Sequence, residues 1–408
     1  MNLANAVAAL GDGPLSETAI ARHIAPLFSR VLASDRIYLE NHSLGRPLDA
    51  MADDIAEAAA LWSGKLGDAW DDWLAEREAY RARLAQLIGA PRPDCVVPRT
   101  AAGQGLRAVL NALPGKPRVV STRGEFNAVD LILKQYAALG RIEIRWVEPD
   151  ARNEYDEFSV DALIRALDWG ADLVVVSQVM FMTSQIVAGL DRLADACHAR
   201  GARLLVDLYH AVGVIPVDVH AMRADFAIGG SYKYLRGGPG AGYLYLSPEV
   251  LDSGLRPLDT GWFANEEMFA FQRPETPVLR PGGDAFLEGT PPVLTWYQAR
   301  SGQQFTLAMG VSRLREYSLR QLRAFRGYLD DAGVKNIMGG DEHHGAFLTI
   351  HLKDAMELPA LLEREGISCD ARADRLRLCP DCLTRDEELR RTAEVLGRVL
   401  AGDRVLRA

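Results

Sequence analysis

Lys233 stands in the run Ala224-Asp-Phe-Ala-Ile-Gly-Gly-Ser-Tyr-Lys233-Tyr-Leu-Arg-Gly-Gly-Pro-Gly240, a turn of small residues that follows a short apolar strand. At the carboxyl end of such a strand an open α/β sheet places its ligands. Burial among apolar groups depresses a lysine's pKa, and the neutral amine then attacks a carbonyl to form a Schiff base. Taken alone, Lys233 reads equally well as a surface lysine in a glycine loop. One strand earlier, Leu204-Leu-Val206 runs into Asp207-Leu-Tyr-His210. Asp207 alone is an N-cap and His210 a satisfied histidine opening a helix. With Lys233 they form a constellation: an amine for a carbonyl, and a buried carboxylate able to keep a ring nitrogen protonated, as a pyridoxal ring requires.

Composition limits the setting. The 408 residues suffice for a large domain and a smaller one, and 48% hydrophobic with 25% charged residues is ordinary for a globular chain. A formal net charge of -9 disfavours a binder of nucleic-acid phosphates, so a small-molecule partner is expected. Met1 to Leu10 lacks the basic start of a signal peptide and no apolar run reaches membrane-spanning length, which together predict a cytoplasmic protein without a membrane partner. The five cysteines, Cys95, Cys197, Cys369, Cys379 and Cys382, are too scattered for a disulfide framework. Cys379-Pro-Asp-Cys382 has no second ligand pair to close a tetrahedral site, so no metal is expected and the two read as incidental thiols.

The elements that must position these residues alternate strand and helix. Strands are predicted at Arg118–Ser121, Ile142–Val147, Leu173–Gln178, Leu204–Tyr209, Phe226–Gly229 and Gly242–Leu246, an α/β pattern. Asp172-Leu-Val-Val-Val-Ser177 is apolar without alternation, as a central parallel strand covered on both faces would be. Leu190, Leu193, Ala194 and Cys197 form one helical stripe ended by Gly201, and Trp70 to Leu87 mark a long amphipathic helix ended by Gly89. Helix returns from about Thr295 to Gly333. A strand at Ala346–Leu352, a helix at Leu358–Glu365 and a closing helix capped by Thr384-x-x-Glu387 follow. The expected organisation is an N-terminal segment, 1–50, that contributes to the small domain, a large domain over 51–295 and a small C-terminal domain over 296–408.

The stretch from Asp207-Leu-Tyr-His-Ala-Val-Gly through Ser231-Tyr-Lys-Tyr-Leu-Arg-Gly-Gly-Pro-Gly240 resembles kynureninase and its relatives among the class V aminotransferase-like enzymes. So do Ile37-Tyr-Leu-Glu-Asn-His-Ser-Leu-Gly45, Trp73 to Gly89, Gly261-Trp-Phe263, Gly289-Thr290 and Gly366-Ile-Ser-Cys-Asp-Ala-Arg372, in the family's order along most of the chain. The resemblance implies the α/β fold of type I pyridoxal-5'-phosphate (PLP) enzymes: a large domain with a mostly parallel seven-stranded sheet, a smaller C-terminal α+β domain, and a homodimer with shared active sites. It implies that Lys233 carries the cofactor and takes the substrate α-proton, that Asp207 partners the pyridinium, and that His210 and Tyr232 position the phosphate and Schiff base. Thr100 and Ala101 would meet the phosphate at a helix N-terminus, Phe126 would stack on the ring, and Ser177 would be a further cofactor contact. Trp262 and Thr290 would reach the phosphate across the dimer. For the substrate, an amino acid, Arg377 would fork onto the α-carboxylate, with Arg375 competing, and His42 and Ser43 would line the substrate side.

The chain departs from the family's pattern on the substrate side. Asn41-His-Ser-Leu-Gly45 replaces Gly-Asn-Ser-Leu-Gly, Met180-Phe-Met-Thr-Ser184 replaces Asn-Tyr-x-Thr-Gly, and Cys-Pro-Asp-Cys follows Arg377. Met180, Phe181, Met182 and Trp262 are candidates for an aryl pocket. The reaction implied is hydrolytic Cβ–Cγ cleavage of a kynurenine-type amino acid to alanine and an aryl acid. β-Elimination, C–S lysis or transamination would use the same cofactor residues, and a catalytically silent PLP-binding protein is a reading of a different class. Cysteine desulfuration is disfavoured, because it needs a mobile, low-pKa thiol.

Overall fold

The computed structural model describes residues 2–150, 156–271 and 273–402. The first strand, β1 (Ile37–Tyr38), precedes a seven-stranded sheet built from β2 (Val96–Arg99), β3 (Arg118–Thr122), β4 (Glu143–Val147), β5 (Leu173–Ser177), β6 (Arg203–Asp207), β7 (Phe226–Gly230) and β8 (Gly242–Leu246). Its order is β2-β8-β7-β6-β5-β3-β4, and only β8 runs antiparallel to its neighbours. Every residue of β5 is buried, as its unbroken apolar run predicts for a strand flanked by β3 and β6 and covered on both faces. The mostly parallel α/β fold is therefore the one expected.

Parallel pairing brings the carboxyl ends of several strands to one edge. Ser177 is opposite Asp207, and Asp207 is opposite Ile228, two residues before the end of β7. The loop carrying Lys233 leaves that same end and returns as β8, closed by Ser231 N–H donating to the Ala241 carbonyl at 2.9 Å. Gly45, from the N-terminal segment, lies against this loop. Its N–H donates to the Tyr232 carbonyl at 2.8 Å, and a Cβ there would come 1.9 Å from the Lys233 carbonyl oxygen, so no larger residue fits without moving the lysine.

The C-terminal part forms a second sheet from β9 (Ile337–Met338), β10 (Leu348–His351), β12 (Asp370–Arg372) and β13 (Arg375–Leu378), in the order β12-β13-β10-β9 and all antiparallel. Between them β11 (Ile367–Ser368) pairs in parallel with β1, Ile37 opposite Ile367. The helical stretch expected from Thr295 to Gly333 is two helices, Leu294–Met309 and Val311–Asp331, parted at Gly310, whose φ of 78° ends the first. The capping prediction at Thr384 is off by one residue. The last helix is Asp386–Leu400 with Arg385 as its N-cap, whose N–H donates to the Glu388 carboxylate at 2.7 Å. The Thr384 hydroxyl instead accepts from Arg46 and the Asp381 N–H. Among the described residues no helix is long and apolar enough to cross a membrane.

Candidate active site

Lys233 is 5% exposed, and its amine is 2.7 Å from His210 Nε2. The rings of Phe126, Tyr209 and Tyr232 surround that amine at 5.3, 5.4 and 5.6 Å. Burial lowers the Lys233 pKa to about 8, with Asp207 pulling the other way and Arg377 reinforcing the drop. His210 is held well below its usual pKa by burial and then by Lys233, so it is neutral and accepts from the amine through Nε2. Its Nδ1 is buried without a hydrogen-bond partner.

Asp207 closes β6 and is also buried. Its carboxylate accepts the Tyr209 N–H at 2.8 Å, and no cation lies within ion-pair distance among the described residues. Burial therefore raises its pKa to about 6, against the opposing pull of that N–H and of Lys233. Ser177, its neighbour across the ladder, donates its hydroxyl to Glu125 Oε2 at 2.6 Å. Thr122 donates to Glu125 Oε1 at 2.6 Å. Burial raises the Glu125 pKa to about 7, those hydroxyls oppose the rise, and the Asp207 charge adds to it. Sequence reasoning missed Glu125, although its place beside Phe126 in the loop after β3 was a usable signal.

Near the lysine the second sheet meets the N-terminal segment. Arg377 donates from Nε and Nη2 to the two oxygens of Asp370, at 2.9 and 2.5 Å, and from Nη1 to the Phe181 carbonyl at 2.7 Å. His42 Nε2 meets Asp370 Oδ1 at 2.8 Å, and the Ser43 hydroxyl donates to Oδ2 at 3.3 Å. His42, stacked on Phe347 at 5.0 Å, is wholly buried, which lowers its pKa to about 4 despite Asp370. The charge of Arg377 acts on Lys233, His210 and His42. Arg375 is turned elsewhere, to Asp156 at 2.6 Å and Asp374 at 3.7 Å. Asp370, which arranges His42, Ser43 and Arg377 together, was quoted in the sequence motif without a role.

Thr100 and Ala101 lie where a strand hands over to a helix, Ala102–Ala112. Ala101 is the extended N-cap and makes no side-chain cap bond, so the helix N-terminus has no carboxylate or hydroxyl of its own. Thr100 is held by Gln104, whose Oε1 accepts from both its N–H and its hydroxyl at 2.8 Å. Thr290 lines one cavity with Thr100 and Gln104. Among the described residues Trp262 makes no contact with Lys233; its ring meets Phe263, Phe269 and Phe271. Of the residues named for an aryl pocket, Met180 is buried in the core, whereas Phe181 packs edge-on against Phe126 at 5.4 Å.

These residues fit PLP. A buried amine of low pKa suits its aldehyde, a buried carboxylate without a cation suits its ring N–H, and a helix start without a capping side chain suits its phosphate. The unpartnered Nδ1 of His210 is a further polar atom that a bound group can satisfy.

The comparisons agree. The sequence pattern of the aminotransferase class-V family matches residues 48–371. Kynureninase of Pseudomonas fluorescens is 31% identical over 72% of this chain and 71% of its own, and that of Deinococcus radiodurans 30% identical over 71% and 70%. An uncharacterised aminotransferase of Bacillus subtilis is 27% identical over 84% of this chain and 89% of its own. Among solved structures, a cysteine desulfurase of Thermococcus onnurineus superposes with a TM-score of 0.80 at 18% identity, covering 93% of this chain and 98% of its own, which speaks for the fold alone. The chain belongs to the class-V aminotransferase family, as a PLP-dependent enzyme of fold type I.

Proposed function

We propose that the enzyme hydrolyses the Cβ–Cγ bond of a kynurenine-type amino acid, consuming one water and releasing alanine and an aryl carboxylic acid. Support comes from the two kynureninase relatives and, in the geometry, from one observation: Phe126 stands 5.3 Å from the Lys233 amine, Phe181 stands 6.0 Å from the Arg377 guanidinium, and the two rings pack edge-on, so an aryl side chain has a wall between the amine and the carboxylate fork.

When bound, PLP supplies an aldehyde for the amine and a protonated ring that accepts the electron pair left at Cα. Lys233 would hold the cofactor and, as a neutral amine, would take the Cα proton. Asp207 keeps the ring N–H in place, and His210, neutral, orients the lysine amine from 2.7 Å. Tyr232, Phe126, Thr100 and Ala101 complete the cofactor's seat, while Ser177 acts through Glu125. Arg377, not Arg375, binds the α-carboxylate. Asp370 occupies its Nε edge, so the carboxylate is met by the remaining N–H groups of Nη1 and Nη2. His42 and Ser43 hold Asp370 and thereby the aim of that arginine.

We also propose a homodimer. Trp62, Leu66 and Phe269 are exposed, and the rings of Trp62 and Phe269 are joined through Trp73 and Trp70, an aromatic face suited to cover by a second copy. Its burial against a second copy would carry Trp262 and Thr290 to the partner's phosphate. A transaminase is the second reading, supported by the aminotransferase relative that aligns over most of the chain. Persulfide chemistry is not favoured, since all five thiols are buried and burial raises the pKa of each.

The test is incubation of the holoenzyme with kynurenine and 3-hydroxykynurenine, with alanine and the aryl acid read by mass spectrometry. Both products at equal amounts support hydrolysis. Amino transfer to a 2-oxo acid without alanine selects the transaminase.

A further inference from the structure

Tyr209, whose ring borders the Lys233 amine, has been given no role so far. Its N–H is fixed on Asp207 Oδ1 at 2.8 Å, its ring stands 5.4 Å from the Lys233 amine, and it packs against the Tyr232 ring at 5.4 Å. Phe126 stands at almost the same distance from the amine, 5.3 Å, yet pairs with Phe181. Two separate rings thus border the space around the amine. The Tyr209 hydroxyl lies against Gly230, which is opposite Gly242, and a Cβ on Gly242 would stand 3.3 Å from the Ala101 nitrogen, at the start of the 11-residue helix whose N-cap has no capping side chain. Its seat is made by Gly230: a Cβ there would lie 2.1 Å from the Tyr209 hydroxyl oxygen, so this β7 position admits the tyrosine only as glycine.

We propose that Tyr209 is a cofactor-positioning residue, its ring walling the pyridine and its hydroxyl donating to the 5'-phosphate at the start of helix Ala102–Ala112. A hydroxyl beside an N-terminus with a partial positive charge adds a donor to the backbone amides that attract the anion. The assignment rests on PLP occupying the Lys233 site.

The experiment titrates apoenzyme with PLP and, separately, with pyridoxal, which lacks the phosphate, following the visible band. Y209F should weaken PLP about tenfold, the size of one hydrogen bond to a charged group, and leave pyridoxal unchanged. Y209A should weaken both. G230A, by displacing the hydroxyl, should reproduce Y209F, and it takes over the test if Y209F fails a near-ultraviolet circular-dichroism check of folding. Equal constants for wild type, Y209F and G230A, or an equal loss for both ligands in Y209F, would overturn the assignment. A wild type without any Lys233-dependent band would instead sink the cofactor reading itself, so the two failures are distinct.

Discussion

The Lys233 amine and His210 Nε2 are 2.7 Å apart, buried side by side with no carboxylate between them. Two bases in contact inside a protein cannot both hold an extra proton, and burial decides against the imidazole first. The lysine is left with a pKa of about 8, low enough for a sizeable neutral fraction at neutral pH.

The rate at which apoenzyme develops its visible band with PLP should therefore rise with pH and level off above about 8, because only the neutral amine adds to the aldehyde. Stopped-flow absorbance across pH 6 to 10 reads this directly. An inflection near the ordinary lysine value would mean that the amine is solvated. In K233A the borohydride-sensitive band should vanish and turnover fall by roughly a thousandfold.

Arg377 and Arg375, two residues apart on β13, should separate cleanly in kinetics. R377A should lower kcat/KM by about a hundredfold, the loss of a charge-assisted pair, while PLP affinity holds. R377K should recover little, since lysine lacks the fork. R375A, which loses only Asp156 and Asp374, should leave KM for the amino acid unchanged. A KM rise confined to R375A would reverse the assignment.

Glu125 should make stability fall as pH rises. Its carboxyl is raised from the ordinary value to about 7 in the fold, so the folded state binds the extra proton between about pH 4.5 and 7. Its share of stability is complete below the unfolded pKa and is lost on passing through 7, a difference of roughly 3 kcal/mol. Urea unfolding of apo E125Q across that window should show a flatter pH profile than wild type. An unchanged profile would place the titration elsewhere.

Asp381 is buried between Arg46 and Arg236, the latter at 2.6 Å, and the two arginines help hold its pKa down at about 2. D381A leaves two buried guanidinium groups without their shared carboxylate. It should cost about 3–5 kcal/mol in chemical denaturation. For wild type the same carboxylate stabilises fully above the unfolded aspartate value and loses its contribution as pH falls towards 2. A loss below about 1 kcal/mol in D381A would show that solvent reaches the pair.

Much of this protein was legible along the chain, because local rules govern it. A short, valine-rich unbroken apolar run suits a strand covered on both faces, and β5 was found within a residue of its end. The stripe Leu190, Leu193, Ala194, Cys197 is the buried face of helix Leu190–His198. Asp207 ends one apolar run and Lys233 follows the next in a turn of small residues, so the two could be read together, because parallel strands gather their ends on one edge. What stayed hidden depends on pairs distant in sequence. Nothing in Arg375-Leu-Arg377 says which guanidinium faces the lysine; that follows from Asp370 and the Phe181 carbonyl closing on one and Asp156 on the other. Nor could Glu125 be known to bind Ser177, or Gly230 to make room for Tyr209, since both depend on which strand ends become neighbours. Sequence periodicity sets the faces of elements, whereas the direction of a buried charge is set by desolvation, which only the packed structure defines.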